Sequence, residues 1–355
     1  MTSAAHVGSN LNAMDKFMSN GHNHLHVQDK HVFPPGERPD MSQVCHSYTF
    51  PVIDLKDLDA PHRINVINDI SQACEEDGFF QIINHGVPET VMKSMMGIAK
   101  EFFEMPVEDS VCFHSEDPRQ AVRVTTSFNV TKDELFDWRD YLTHPCHPLE
   151  EFINSWPQKP ALYRDVAGKY AKEIRVLVLR LLAAISEALG QDSDYLNAMF
   201  GKHIQMLHIN YYPACPNPDL TFGAAPHSDP GGITVSMQGD VSGLQVLKDG
   251  KWFAVEPIPN AFVVNVADQI EVISNGRFKS AEHWGITNTT TARISIPTFY
   301  GPSSDAFIAP VASMVDEEHP ALHRGYKFEE YMKAFWSQGL KGKSILDRFK
   351  IEISP

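Results

Sequence analysis

The sequence is poor in cysteine, with five residues among 355, an odd number, and no CxxC pair. The cysteines are scattered along the chain, at Cys45, Cys74, Cys112, Cys146 and Cys215. Small secreted proteins that depend on disulfides have many closely spaced cysteines, and structural zinc sites commonly use CxxC pairs. The sequence therefore argues against a disulfide framework and predicts a cytoplasmic protein with reduced thiols.

Long apolar runs and clustered positive charge are also missing. No run approaches the roughly 20 apolar residues of a membrane-spanning helix, and residues 1–20 lack the pattern of a secretory signal. The formal net charge is -15, with 45 acidic residues against 30 Lys and Arg. Nucleic acids and anionic membranes need positive patches, so we expect neither as a partner. We predict a monomer that acts on a small molecule.

Composition divides the chain into three stretches. Residues 1–47 are polar and are predicted to form a disordered tail, because they offer few apolar side chains to bury. Residues 48–150 form a predicted N-terminal region, and residues 151–355 a catalytic region. A metal-binding tract is the weaker interpretation of the histidines in the tail, which are His22, His24, His26 and His31.

Helical spacing of apolar residues predicts helices over about 63–76, 89–104 and 162–189, and a last helix over about 328–338. Residues 107–150 look irregular. From residue 205 onward, short apolar runs recur between Pro, Gly, Asn and Asp, as expected for a sandwich or barrel. The runs are 205–212, 232–238, 243–247, 252–255, 261–266, 270–273, 283–287 and 293–300. The predicted fold is mainly β with α, a jelly-roll core backed by helices.

A possible metal site lies in the second half of the chain. His227 and Asp229 are two residues apart, so in an extended segment both point to the same side. His283 follows several predicted strands later. Two histidines and one carboxylate suit Fe(II) and leave coordination positions open. The alternatives are a chance His-x-Asp pair and a hydrolytic zinc site, which also uses three nitrogen or oxygen ligands.

A candidate anion site follows the metal motif. Arg293 and Ser295 share one face of a predicted strand, and together they offer a clamp for a small carboxylate. The alternative is an arginine that pairs with a structural acid. In the strand over 205–212, His208, Asn210 and Tyr212 share one face, which is typical of a polar pocket.

Five motifs in this order carry a family resemblance. They are Asp77–Pro88, Asn210–Pro216, His227–Gly231, Ser274–Ser280 and Arg293–Ser295. Over about residues 48–350 the chain resembles the plant 2-oxoglutarate- and Fe(II)-dependent dioxygenases of specialised metabolism. The resemblance implies a double-stranded β-helix, the jelly-roll core already indicated by the strand pattern. It also implies Fe(II), 2-oxoglutarate and dioxygen as reactants, with ascorbate as reductant.

By the same resemblance, His227, Asp229 and His283 are the iron ligands. Arg293 and Ser295 would hold the distal carboxylate of 2-oxoglutarate, and Tyr212 and Asn210 would assist near the cosubstrate. The activity implied is hydroxylation or desaturation coupled to decarboxylation of 2-oxoglutarate. The chain departs from the family pattern at Ala267, where Gly is usual, and at Trp284, where Arg is common.

Residues 117–141 and 331–339 most resemble the branch of salicylate hydroxylases and flavone synthase I, or flavanone 2-hydroxylase, enzymes. Jasmonate oxidases use arginines at the positions of His208 and Ser303, which counts against a jasmonate substrate. We expect a small aromatic plant metabolite, a flavanone oxidised to a flavone or 2-hydroxyflavanone. The predicted substrate contacts are Arg123, Phe128, Tyr141, Thr143, His208 and Phe299.

Two alternatives to this function remain. The first is a salicylic acid hydroxylase, in which Arg123 would pair with the substrate carboxylate. The second is a non-catalytic ligand receptor on the same fold. An intact ligand set together with the carboxylate clamp favours the enzyme.

Overall fold

A computed structural model of the protein describes residues 25–40, 44–117, 119–126, 135–338 and 345–351. Its strands are β1 (Val44–Cys45), β2 (Val52–Asp54), β3 (Phe79–Ile83), β4 (Arg123–Thr125), β5 (Asp140–Pro145), β6 (Ile204–Tyr212), β7 (Ala224–His227), β8 (Ile233–Gln238), β9 (Leu244–Lys248), β10 (Lys251–Val255), β11 (Phe262–Val266), β12 (His283–Gly285), β13 (Arg293–Gly301), β14 (Phe307–Ile308) and β15 (Tyr326–Lys327).

The helices within these ranges include a long one behind the main sheet and several short ones in connections. They are α1 (Arg63–Glu76), α2 (Glu89–Glu104), α3 (Val107–Ser110), α4 (Leu149–Phe152), α5 (Tyr163–Ala188), α6 (Tyr195–Phe200), α7 (Asp268–Ile273) and α8 (Phe328–Gln338). The helices predicted over 63–76, 89–104, 162–189 and 328–338 are confirmed.

Two sheets form the jelly roll. The larger has eight strands in the order β2-β3-β11-β8-β13-β6-β5-β4, and the smaller has five in the order β1-β10-β9-β12-β7. In β6, Leu207 and Ile209 are fully buried in the main hydrophobic core. That core also contains the buried sides of α1, α2 and α5, so these helices cover one face of the larger sheet. The predicted fold class is confirmed.

Both predicted regions contribute to the larger sheet, because β2 to β5 lie before residue 150 and the other strands lie after it. The boundary at residue 150 stays a prediction. Residues 107–150 are not irregular throughout, since β4 and β5 extend the sheet beside β6. The apolar run over 270–273 is wrong as a strand and forms the end of α7, because a short buried run fits either structure.

The prediction of a disordered tail is wrong for residues 25–40 and 44–47. His31 is fully buried, and its Nδ1 lies 3.0 Å from the carbonyl oxygen of Phe136. The ring of Phe33 packs on Phe222 at 5.0 Å, and β1 pairs with β10. A few apolar side chains are thus enough to dock this polar segment. Residues 1–24 and 41–43 lie outside the described residues.

Candidate active site

The predicted site residues meet in one cavity of about 290 Å³. Strands of both sheets line it. Twelve of the thirteen predicted site residues contribute to its surface, while Phe128 lies outside the described residues. The twelve are Arg123, Tyr141, Thr143, His208, Asn210, Tyr212, His227, Asp229, His283, Arg293, Ser295 and Phe299.

The three predicted metal ligands converge at one end of this cavity. His227 in β7 and His283 in β12 are direct partners in the antiparallel pairing. Oδ1 of Asp229 lies 3.8 Å from Nε2 of His227 and 3.7 Å from Nε2 of His283. One possible ligand atom from each residue lies within 4.8 Å of the others. Among the described residues, this is the one cluster of three or more His, Cys, Asp or Glu that could hold a metal ion.

Hydrogen bonds orient the three side chains. Nδ1 of His227 lies 2.7 Å from the carbonyl of Ala225, and Nδ1 of His283 lies 3.2 Å from that of Ala281. Because a carbonyl only accepts, both imidazoles donate from Nδ1 and direct Nε2 toward the centre. The second oxygen of Asp229, Oδ2, accepts bonds from two neighbouring side chains and leaves Oδ1 for a metal. These donors are Thr234 at 2.6 Å and Asn265 at 2.8 Å.

Electrostatics keep this set in its metal-binding form. Burial, with the nearby His283, lowers the pKa of His227 to about 3, so its imidazole is neutral. Burial alone would raise the pKa of Asp229, but the two histidines and its two hydrogen-bond donors lower it below the ordinary value. Two imidazoles and one carboxylate match the donor set that binds non-haem Fe(II). The residues present therefore fit an iron centre.

The candidate carboxylate clamp lies on the neighbouring strands β6 and β13. Arg293 pairs with Tyr212 and Ser295 with Asn210 in the strand register, and Nδ2 of Asn210 donates to Oγ of Ser295 at 3.2 Å. The guanidinium of Arg293 lies 4.9 Å from the ring centroid of Tyr212. It also donates to Gln238 at 3.2 Å.

Arg293 is buried, with 3% of its surface exposed. Among the described residues, no carboxylate lies within 4.0 Å of its guanidinium nitrogens, and its Nε has no hydrogen-bond partner. This disagrees with the alternative that Arg293 pairs with a structural acid. A buried guanidinium without a counter-ion needs an anion, and the cavity is where one can reach it.

Comparison with known proteins agrees with this geometry. Residues 203–302 match the model of the 2OG-Fe(II) oxygenase superfamily, and residues 50–159 match that of the non-haem dioxygenase in morphine synthesis N-terminal region. The protein DMR6-like oxygenase 1 of Arabidopsis thaliana is 48% identical over 328 residues, which cover 92% of this chain and 94% of that protein. The chain belongs to the 2OG-Fe(II) oxygenase superfamily.

Two further relatives of this oxygenase bear on its site. Flavanone 3-dioxygenase 2 of Oryza sativa subsp. japonica is 38% identical over 328 residues, which cover 92% of this chain and 95% of that protein. The second is the protein in the crystal structure of JOX2 in complex with 2OG, Fe and JA, whose sequence is 36% identical to this one. The two structures superimpose with a TM-score of 0.85, and the match covers 95% of this chain and 96% of that chain. The oxygenase therefore depends on Fe(II) and 2-oxoglutarate.

A second arginine of the oxygenase, Arg139, was not predicted as a site residue. It lines the cavity and forms an ion pair with Asp137 at 3.2 Å. It also donates to Oδ1 of Asn210 at 3.2 Å. The other oxygen of Asp137 accepts from the backbone N–H of Ala225 at 3.0 Å, and Ala225 is the residue that orients His227. Arg139 thus connects the strand of a metal ligand with the carboxylate clamp.

The alternation of β5 contains the signal that could have found Arg139. Arg139, Tyr141 and Thr143 are spaced by two and all line the cavity, as side chains on one face of a strand do. The charges of Arg139 and Arg293 also lower the pKa of Tyr212, although burial alone would raise it. The clamp end of the oxygenase cavity therefore carries the positive charge of Arg293, while that of Arg139 is paired with Asp137.

The predicted substrate contacts that lie within the described residues are on the same sheet as the clamp. Thr143 is the strand partner of both Arg123 and His208. The ring of Tyr141 stacks on that of His208 at 5.1 Å, and Phe299 meets His208 edge-on at 4.7 Å. Burial, with the charges of Arg123 and Arg139, lowers the pKa of His208 well below its ordinary value, so this imidazole is neutral.

Several aromatic residues of the oxygenase cavity were not predicted. Trp284 lines it next to His283, stacks on Trp252 at 3.7 Å, and donates to Gln245. From α8, Phe335 and Trp336 reach the cavity together with Met332. The amphipathic pattern of α8 predicts a buried face but does not say which surface that face covers.

Proposed function

We propose that this oxygenase converts a flavanone to a flavone or a 2-hydroxyflavanone and that it acts in flavonoid biosynthesis. The observation that carries the proposal is the aromatic row of Tyr141, His208 and Phe299, which lies in the same cavity as the metal triad. Flat aromatic substrates gain from such rings by stacked and edge-to-face contacts. The name of the rice relative, flavanone 3-dioxygenase 2, supports a flavanone as substrate.

In this proposal each polar residue has one task. His227, Asp229 and His283 would hold Fe(II), and Arg293 and Ser295, with Tyr212 and Asn210 beside them, would orient 2-oxoglutarate through its far carboxylate. When both are bound, the iron and cosubstrate supply the oxidising chemistry, with succinate and carbon dioxide as coproducts and ascorbate as reductant.

The apolar walls have a separate task in the proposed reaction. Phe79, Leu244, Val263 and Trp284 line the cavity beside the triad. They exclude water and hold the substrate against the centre.

Hydroxylation of salicylic acid is the second candidate function. Arg123 is buried and lines the cavity. Its strand partner Thr143 also pairs with His208 on the other side. A guanidinium at the substrate end suits a substrate with a carboxylate. An uncharged flavanone would contact Arg123 only through its oxygen atoms, so the two substrates place different demands on this residue.

Succinate release separates the two candidates. We expect naringenin to stimulate release in the protein loaded with Fe(II), ascorbate and 2-oxoglutarate, while salicylate and jasmonate leave it near the background. Arg123→Gln should change the naringenin KM little. Stimulation by salicylate alone, lost in Arg123→Gln, would replace the flavanone proposal by the second candidate.

A non-catalytic receptor on the same fold predicts ligand binding without turnover. Under anaerobic conditions, Fe(II) and 2-oxoglutarate should give a visible charge-transfer band, and His227→Ala should lose it. A receptor would release no succinate with any of the three compounds, and a zinc hydrolase would show neither the band nor succinate.

We also propose that the oxygenase acts as a cytoplasmic monomer on this small molecule. The five cysteines lie within the described residues and none of them forms a disulfide, which suits a reducing compartment. None of the helices in the described ranges has the length and apolar character to cross a membrane. Light scattering and a fluorescent fusion test the two parts, and a dimer or an organellar signal would contradict them.

A further inference from the structure

A buried carboxylate lies directly behind the metal-ligand loop. Asp268 is 2% exposed, and its backbone N–H donates to the carbonyl of Asp229 at 3.0 Å. Its carboxylate accepts hydrogen bonds from three hydroxyls that belong to three separate segments. These are Ser228 at 3.3 Å, Ser280 at 2.6 Å and Tyr331 at 2.5 Å.

Each of the three segments bears on the active site. Ser228 lies between the ligands His227 and Asp229, and Ser280 precedes the ligand His283 by three residues. Tyr331 lies in α8, next to Met332, which is the first residue of this helix to line the cavity. One carboxylate therefore joins both ligand-bearing segments to a helix of the cavity wall.

The next residue, Gln269, makes a second connection of the same kind. Its backbone N–H donates to Gly231 at 3.0 Å, and its side-chain amide donates to the carbonyl of Pro230 at 2.7 Å. Its side-chain oxygen accepts from the hydroxyl of Tyr326 at 2.9 Å. Tyr326 in β15 immediately precedes α8, so two tyrosines attach the C-terminal segment to the metal-ligand loop.

Tyr331 is the donor in its hydrogen bond with Asp268. Burial and the negative charge of Asp268 raise the pKa of Tyr331 well above its ordinary value, so the hydroxyl remains a donor. Bonds from a hydroxyl to an ionised carboxylate are stronger than neutral ones, and their loss inside a protein is costly. These bonds link the ligand loop to α8.

We propose that Asp268 and Tyr331 are positioning residues that couple the occupancy of the metal site to the position of α8. A metal that fixes Asp229 also fixes the loop from Ser228 to Gly231, and through Asp268 and Tyr331 it fixes α8. Met332, Phe335 and Trp336 then hold their places against the substrate. The coupling requires the metal triad but does not depend on which substrate the enzyme oxidises.

Hydrogen exchange of the α8 amides, with and without Mn(II), tests the coupling in the full-length protein. We expect Mn(II) to slow this exchange by about fivefold in the wild type, the effect of roughly one hydrogen bond on local opening. Tyr331→Phe should lose most of this slowing while it still binds Mn(II), as measured by electron paramagnetic resonance.

Tyr163→Phe is the matched control, because Tyr163 is also fully buried and its hydroxyl lies 2.7 Å from His144 in another part of the core. It should keep the slowing. Asp268→Asn is the second variant, and it serves if the α8 amides of Tyr331→Phe already exchange rapidly without metal. It should also lose the slowing by Mn(II). Equal slowing in wild type and in either variant, or none in the wild type, would overturn the proposal without touching the substrate assignment.

Discussion

His227 and His283 lie directly opposite each other on antiparallel strands, with ring centroids 4.3 Å apart. Two predicted ligands distant in sequence are therefore fixed by the backbone pairing of β7 with β12, and the fold itself sets their separation. Asp229 reaches the same point from the loop that follows β7.

Metal should stabilise the folded protein through these ligands. At a concentration about 100 times its dissociation constant, Mn(II) should add about 2.7 kcal/mol of unfolding free energy, visible as a rise in Tm. His227→Ala and His283→Ala should lose the rise. Arg123→Gln, which changes the substrate end of the cavity, should keep it. An undiminished rise in His227→Ala would contradict the assigned ligand set.

Gly243 leaves the room that Arg293 needs. A Cβ at Gly243 would lie 2.8 Å from Cδ of Arg293 and 3.0 Å from the carbonyl oxygen of Ile286. Gly243→Ala should therefore displace the guanidinium and raise the KM for 2-oxoglutarate on the order of tenfold or more. Gly97→Ala is the control, because a Cβ there meets nothing within 4 Å. Equal KM values in the two variants would show that Arg293 does not hold the cosubstrate.

Arg139 and Asp137 should behave as one unit. Arg139→Gln removes the ion-pair partner of the buried Asp137, which should cost roughly 3–5 kcal/mol of unfolding free energy. It also removes the donor to Asn210, so 2-oxoglutarate should bind more weakly in calorimetry. The double variant with Asp137→Asn should be less destabilised than the sum of the single changes. Additive losses would mean that the pair does not interact.

Stability of the metal-free protein should fall in mild acid. Burial lowers the pKa of His114 to about 4 and that of His144 to about 3, from the ordinary value of 6.5. The unfolded chain therefore binds these protons first, and stability is lost as the pH falls below 6.5 toward the folded-state pKa values. Each histidine contributes up to about 1.4 kcal/mol per pH unit.

Urea unfolding between about pH 7.5 and about pH 5 measures this slope. His144→Gln lacks one of these two imidazoles and should show a shallower dependence than the wild type. A stability that is flat across this range in the wild type would contradict the prediction.

The metal site was predictable because its signals are local. A spacing of two places His227 beside Asp229, and the alternation in β6 separates Asn210 and Tyr212 from the core residues Leu207 and Ile209. These faces follow from strand geometry alone. Strand pairing then brings His283 to the others; the sequence offers His283 as the third residue of the set but does not show which strands pair.

Strands β4 and β5 were missed for a physical reason. All six residues of β5, from Asp140 to Pro145, are buried, yet they include Asp140, Thr143 and His144. Since polar groups there face the cavity or hydrogen-bond within the core, the strand lacks the alternation of apolar and polar residues that identifies a half-exposed strand. Because the strand was not recognised, the spacing of two that connects Arg139 with Tyr141 and Thr143 was not used.

The single carboxylate among the three predicted metal ligands determines how charge is distributed in the cavity. A divalent ion next to Asp229 retains one uncompensated positive charge, and Arg293 adds another nearby. A doubly deprotonated diacid would neutralise both together, whereas a monoacid would leave one of them unmatched in a medium of low dielectric constant. The ferrous ion and the cosubstrate should therefore each bind more tightly when the other is already present.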